Sequence, residues 1–92
     1  MEQRTAVERI DELRREIDRI DRELVALFEK RMDTALAIGS IKRESGMDIK
    51  NQNREEQVKA NCRAGCKNKS YAPYAEAVME RVMDACREIQ YL

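Results

Sequence analysis

From Ile10 onward the apolar positions fall at Ile10, Leu13, Ile17, Ile20, Leu24 and Leu27, and the same spacing continues through Arg31, Thr34, Ile38 and Ile41. Steps of three and four alternate throughout. That is the heptad seam of a helix packed along its length against another helix. Nothing breaks the pattern before Ser45-Gly46, and the single proline lies at position 73, so one helix is predicted from about residue 5 to about residue 44. At 1.5 Å per residue such a helix is about 60 Å long.

Two shorter helices are predicted to follow. The second begins near Asp48 to Asn51, both good N-cap residues, and stops near Gly65. Its apolar content is poor, with Val58, Cys62 and Cys66 among a few alanines, so it has to be held by its neighbours. The third begins around Ser70 to Pro73, with Ser70 as cap and Pro73 in the first turn, and buries Val78, Val82, Cys86 and Ile89 flanked by Met79 and Met83. Gln90, four residues after Cys86, shares that face.

The chain of 92 residues reads as a single domain, 1–92, of the all-α class. Alone it buries only roughly 60 to 65% of its unfolded surface, and a compact chain of this size has a radius of gyration near 12 Å. The remaining fifty or so residues cannot cover a rod about 60 Å long. A second copy can, which predicts a homodimer in which the long helices pair.

Charge and cysteine content narrow the chemistry. Eighteen basic and eighteen acidic residues cancel, so no overall field draws the chain to nucleic acid or to anionic lipid. The opening MEQRTAVERIDEL has no apolar core of a leader, and no run is long enough to span a bilayer; a soluble cytoplasmic protein is expected. There is no histidine, and Cys62, Cys66 and Cys86 are odd in number with x3 spacing between the first two. The usual zinc sets cannot be assembled from these residues, and free thiols are expected. Histidine relays are excluded.

Several polar residues escape the core pattern. At about 100° per residue, Arg31, Ala35, Ile38 and Lys42 form one line on the first helix. A helix that points alanine and isoleucine inward there points an arginine and a lysine the same way. An unpaired buried guanidinium costs several kcal/mol, so Arg31 calls for an anion. Arg14, beside Leu13, and Arg54, in NQNREEQ, also read as surface charges whose stems cover apolar neighbours. Glu55 suits a first helical turn and has Lys59 four residues on as a partner. Gln90 can satisfy a backbone group, and Cys86 reads as core packing. Together they describe a cationic site with one carboxylate and one amide, suited to a small polyanion and to catalysis by positioning and electrostatics.

The stretches LRREIDRIDRELVALFEKRM, AIGSIK, NQNREE and ACREIQ resemble the all-helical chorismate mutases over nearly the whole chain. The resemblance implies a three-helix chain in an intertwined dimer. It also implies the rearrangement of chorismate to prephenate in phenylalanine and tyrosine biosynthesis, without cofactor, metal or covalent intermediate. Carried over residue by residue, Arg14 of one subunit and Arg31 of the other grip the two substrate carboxylates. Lys42 serves a carboxylate and the ether oxygen, Gln90 donates to that oxygen, Glu55 holds the substrate hydroxyl, and Arg54 frames the pocket. Two positions depart from the family pattern. Asn51 stands where an aspartate is usual, and Cys86 where a serine often meets a substrate carboxylate; both bear on substrate affinity. An isochorismate pyruvate lyase shares the scaffold and its arginines, but its branch is expected to alter the stretch around Arg54 and Glu55. A non-catalytic dimeric module binding a pathway metabolite has no need for Lys42 together with Gln90.

Overall fold

The computed structural model describes residues 4–92 and contains three α-helices, α1 (Ala6–Glu44), α2 (Gln52–Gly65) and α3 (Ala72–Gln90), with a short 3-10 helix at Lys69–Tyr71. No strand occurs among the described residues. The described residues divide into two compact units, one ending at Lys30 and the other comprising residues 31–92. The first is helical from Ala6 and exposed at every described residue, from Arg4 to Lys30. The second holds the remainder of α1 together with α2, the 3-10 turn and α3.

The bounds of α1 follow from its end residues. The Thr5 hydroxyl accepts from the Glu8 N–H at 3.1 Å, the expected N-cap bond to the third helical residue. At the other end Gly46 adopts φ 67°, the Met47 N–H reaches the Lys42 carbonyl at 2.8 Å and the Gly46 N–H reaches Arg43 at 3.4 Å. This pair of bonds is a Schellman closure, and its left-handed residue favours glycine. Replacing Gly46 by alanine places a Cβ in that region and is expected to cost about 1 kcal/mol, read as a lower urea midpoint with an unchanged slope.

Asn51 caps α2, its Oδ1 accepting from the Arg54 N–H at 3.0 Å. The last turn of α2 is closed from outside, where the Lys69 ammonium donates to the Arg63 carbonyl at 2.8 Å and to Ala64 at 3.3 Å. A cation there also complements the helix dipole. Ser70 is not the cap of α3. Asn68 Oδ1 accepts both its N–H and its hydroxyl and winds the 3-10 turn, and α3 starts directly afterwards with Pro73 in its first turn.

α2 has little apolar surface beyond the half-buried Val58 and Cys62, and a row of ion pairs joins it to α3, each a small contribution because its charges remain partly in water. Glu55, Lys59 and Arg63, one turn apart, pair with Arg87 at 2.9 Å, Glu80 at 3.0 Å and Arg63's partner Glu76 at 2.8 Å. Residue numbers rise on one helix as they fall on the other, so the two run antiparallel. The hydrogen bond to Glu80 is the main cause that raises the Lys59 pKa, against some desolvation. Because the folded value lies above the ordinary one, this contribution is complete below pH 10.5 and is lost as pH climbs through the folded value. Lys59 therefore does not serve Glu55, as its i,i+4 spacing suggested.

The core of the second unit is small: Ala35, Ala72, Met83 and Cys86 are buried, with Gln90 beside them. Val78, expected inside, is 62% exposed, while Val82 and Ile89 are half-buried. The inner face of α3 is thus set by Met83, Cys86 and Gln90, a line rotated away from Val78.

Candidate active site

A cavity of about 310 Å³ lies in the second unit, bordered by all three helices and by Ile49. That volume is at the small-metabolite end of the usual range. Of the eight residues singled out in the sequence, seven border it: Arg31, Lys42, Asn51, Arg54, Glu55, Cys86 and Gln90. Arg14 belongs to the first unit, where its side chain is exposed and lies 3.7 Å from Asp11.

The α1 segment supplies two cations from one line of its surface. Arg31 is half-buried and makes no hydrogen bond or ion pair with any described residue. Lys42 is half-buried too, and its ammonium donates to the Ile49 carbonyl at 2.7 Å. The Schellman turn makes this bond possible by reversing the chain so that Ile49 returns alongside the last turn of α1. Two ammonium donors remain for other acceptors.

From α2, the Asn51 amide oxygen is engaged as a cap, a task aspartate performs equally well. Arg54 is exposed and donates to Gln57 at 2.7 Å. Glu55 is half-buried, and its Oε1 accepts from Arg87 Nη1 at 2.9 Å, leaving Oε2 for another donor.

From α3, Cys86 is only 4% exposed, and its thiol lies 3.5 Å from the Met32 sulfur. The thiol borders the cavity while packing in the core. Gln90 is 9% exposed and donates through Nε2 to the Cys86 carbonyl at 3.0 Å, while its backbone carbonyl accepts from Arg43 at 2.5 Å. One Nε2 hydrogen is left over.

Arg87 was missed by sequence reasoning. It borders the cavity and bridges Glu55 to Asp84, the latter also at 2.9 Å. Burial works to lower its pKa, but the charge and hydrogen bonds of Glu55 and Asp84 outweigh this, and the net direction is upward. The guanidinium thus stays charged and fixes the Glu55 carboxylate. The only hint in the sequence was that Arg87 follows Cys86 directly and precedes Gln90 by three, which places it near the edge of the inner face. The cavity edge carries four cations, Arg31, Lys42, Arg54 and Arg87, against one carboxylate, Glu55. Such a lining favours a small anion with more than one negative group.

Comparison with known proteins agrees with this chemistry. The model of the family described as chorismate mutase type II matches residues 13–91, a span that includes all eight candidate residues. The T-protein of Haemophilus influenzae is 41% identical over 49 residues, which cover 53% of this chain and 13% of the T-protein. The aligned part is thus a small fraction of that relative's length. Among solved structures, a conserved hypothetical protein from Pyrococcus furiosus is similar with a TM-score of 0.74 and 31% identity, over 95% of this chain and 99% of that one.

Proposed function

The chain belongs to the chorismate mutase type II family, the premise from which we propose that it rearranges chorismate to prephenate in phenylalanine and tyrosine biosynthesis. The observation that carries this reading is that the Lys42 ammonium and the Gln90 amide border the same cavity as the half-buried Arg31 guanidinium. A binder of carboxylates needs the guanidinium alone. An ammonium and an amide with spare hydrogens serve an oxygen on which charge develops.

In the reaction the ether C–O bond breaks and a C–C bond forms within one molecule, with no proton transferred and no atom gained or lost. Arg31 holds one carboxylate of the substrate in the folded, reactive conformer, and Arg14 of the partner subunit holds the other. Negative charge builds on the ether oxygen as the C–O bond lengthens. Lys42 and the free Nε2 hydrogen of Gln90 meet it, and they bind the transition state more strongly than the ground state. Glu55, fixed through Oε1 by Arg87, accepts the substrate hydroxyl at Oε2. Arg54 adds positive charge at the rim. No cofactor or metal takes part in this scheme.

The seam of α1 supports the homodimer. Leu13, Ile17, Ile20, Leu24 and Leu27 are each between 46% and 65% exposed. Covering the exposed half of each contributes on the order of 1 kcal/mol per residue. A helical segment exposed on all sides is marginal in water by itself. A second copy of the chain, offering the same seam, covers these residues and brings its Arg14 within reach of the cavity. The chain as one domain, 1–92, acts within that dimer. No described helix is long and apolar enough to cross a membrane, and the cytoplasm, where the pathway's soluble intermediates lie, is the proposed location. The zero net charge offers nothing to attract nucleic acid.

The isochorismate pyruvate lyase is the competing chemistry on this scaffold, and the unaltered stretch Asn51 to Glu55 favours the mutase. Incubating the purified protein with chorismate and, separately, with isochorismate separates the two. Prephenate from chorismate is the expected product. Pyruvate and salicylate from isochorismate, with chorismate unchanged, would overturn the proposal, and binding without turnover of either would leave a metabolite-binding module.

A further inference from the structure

Gly39 is buried on α1, between the positions of Arg31 and Lys42, and its neighbour is the Gln90 side chain. A Cβ placed on Gly39 lies 2.8 Å from Gln90 Cγ, 3.1 Å from Cβ and 3.4 Å from Cδ. These are the inner atoms of the side chain rather than its mobile tip, so they cannot swing aside without moving the whole amide. We infer that Gly39 is a positioning residue for Gln90: the missing methyl group lets the Gln90 stem run against α1 and fixes where its amide stands in the cavity. The inference rests on the mutase reading for its effect on turnover and on geometry alone for its effect on the amide.

Packing controls this side chain because hydrogen bonding does so only in part. Nε2 is tied to the Cys86 carbonyl at 3.0 Å, but Oε1 is buried without a partner among the described residues. An amide with one hydrogen bond can still turn about that bond. The α1 surface at Gly39 closes off that freedom. The backbone end of the same residue is anchored separately, since Arg43 donates to the Gln90 carbonyl at 2.5 Å. Two consecutive turns of α1 therefore hold Gln90, one by contact at Gly39 and one by charge at Arg43. Glycine is a poor interior helix residue, and its φ here is not of the left-handed kind that would require it. The close approach of Gln90 is the physical reason for its presence.

The test is a double-mutant cycle read in kcat and KM separately. Gly39→Ala is expected to lower kcat by about a hundredfold, the scale of a misplacement near 1 Å, with KM changed by less than about threefold. In a Gln90→Ala background the same substitution is expected to change kcat by less than about twofold, because the amide through which it acts is gone. Equal losses in both backgrounds would assign Gly39 a purely structural role and overturn the inference. Because the double variant lacks Cγ and Cδ, only the 3.1 Å approach to the Gln90 Cβ remains, and its melting temperature checks that it folds. A second reading does not depend on turnover. The Gln90 side-chain amide resonances in a 15N–1H spectrum, identified by their loss in Gln90→Ala, are expected to move in Gly39→Ala. If they stay in place, the inference fails. These resonances decide the positioning claim even if the wild-type chain leaves chorismate untouched, an outcome that overturns the mutase reading alone.

Discussion

Lys42→Ala is expected to lower kcat/KM for chorismate by at least about a hundredfold, with most of the loss in kcat. Its ammonium keeps two hydrogens after donating to the Ile49 carbonyl. In the proposed reaction one of them meets the ether oxygen as charge accumulates there. Loss of one such donor typically costs about 3 to 4 kcal/mol of transition-state stabilisation. The bond to Ile49 also tethers the turn between α1 and α2. Lys42→Arg, which keeps the charge and hydrogen-bonding capacity but not the compact geometry, is therefore the informative companion. It should stay folded and still lose most of its turnover. The melting temperature and the mass in solution of each variant separate a catalytic loss from an unfolded chain, and near-wild-type turnover in a folded Lys42→Ala protein would remove Lys42 from the mechanism.

Mixing two inactive proteins should restore activity. In the proposed dimer each cavity takes Arg31 from its own chain and Arg14 from the other. Arg14→Ala and Arg31→Ala homodimers each lose one carboxylate clamp in both cavities, and turnover should fall by at least about a hundredfold in each. After unfolding and refolding together in equal amounts, random pairing makes about half of the dimers mixed. In a mixed dimer one cavity has both arginines and the other has neither. About a quarter of wild-type activity is thus expected, appearing only after chain exchange. No recovery, with exchange verified by mass, means that Arg14 does not act across subunits. A monomer in solution would overturn the dimer itself, since the exposed seam of α1 would then need a different explanation.

The sequence was most legible where structure is local. The stop of α1 at Gly46 was legible because such a closure depends on residues a few positions apart, while the Thr5 cap emerged only with the structure. The start of α2 at Asn51 was legible for the same reason, whereas Gly65 only coincides with its last residue: the cap there is Cys66 in extended backbone, and the final turn is closed by Lys69 from outside. The line through Arg31 and Lys42 was readable from helix periodicity alone, and both residues border one cavity. Periodicity was less reliable on α3. It placed Val78 inside, but the face in use runs through Met83, Cys86 and Gln90. The rotation of a helix about its axis is set by what packs against it, and here that includes α2, which offers mainly charge.

Sequence by itself determined the three helices, the stop of α1 at Gly46, the cap of α2 at Asn51, and the cations along one side of α1, because each depends on neighbours within about two turns. The tertiary structure alone decided which charges meet. Glu55 turns from the nearby Lys59 to Arg87, 32 residues away, and Gly39 receives Gln90 from the far end of the chain. Such pairings depend on the register and rotation of one helix against another. Those are fixed by the sum of packing across the whole interface, which no short stretch of residues encodes.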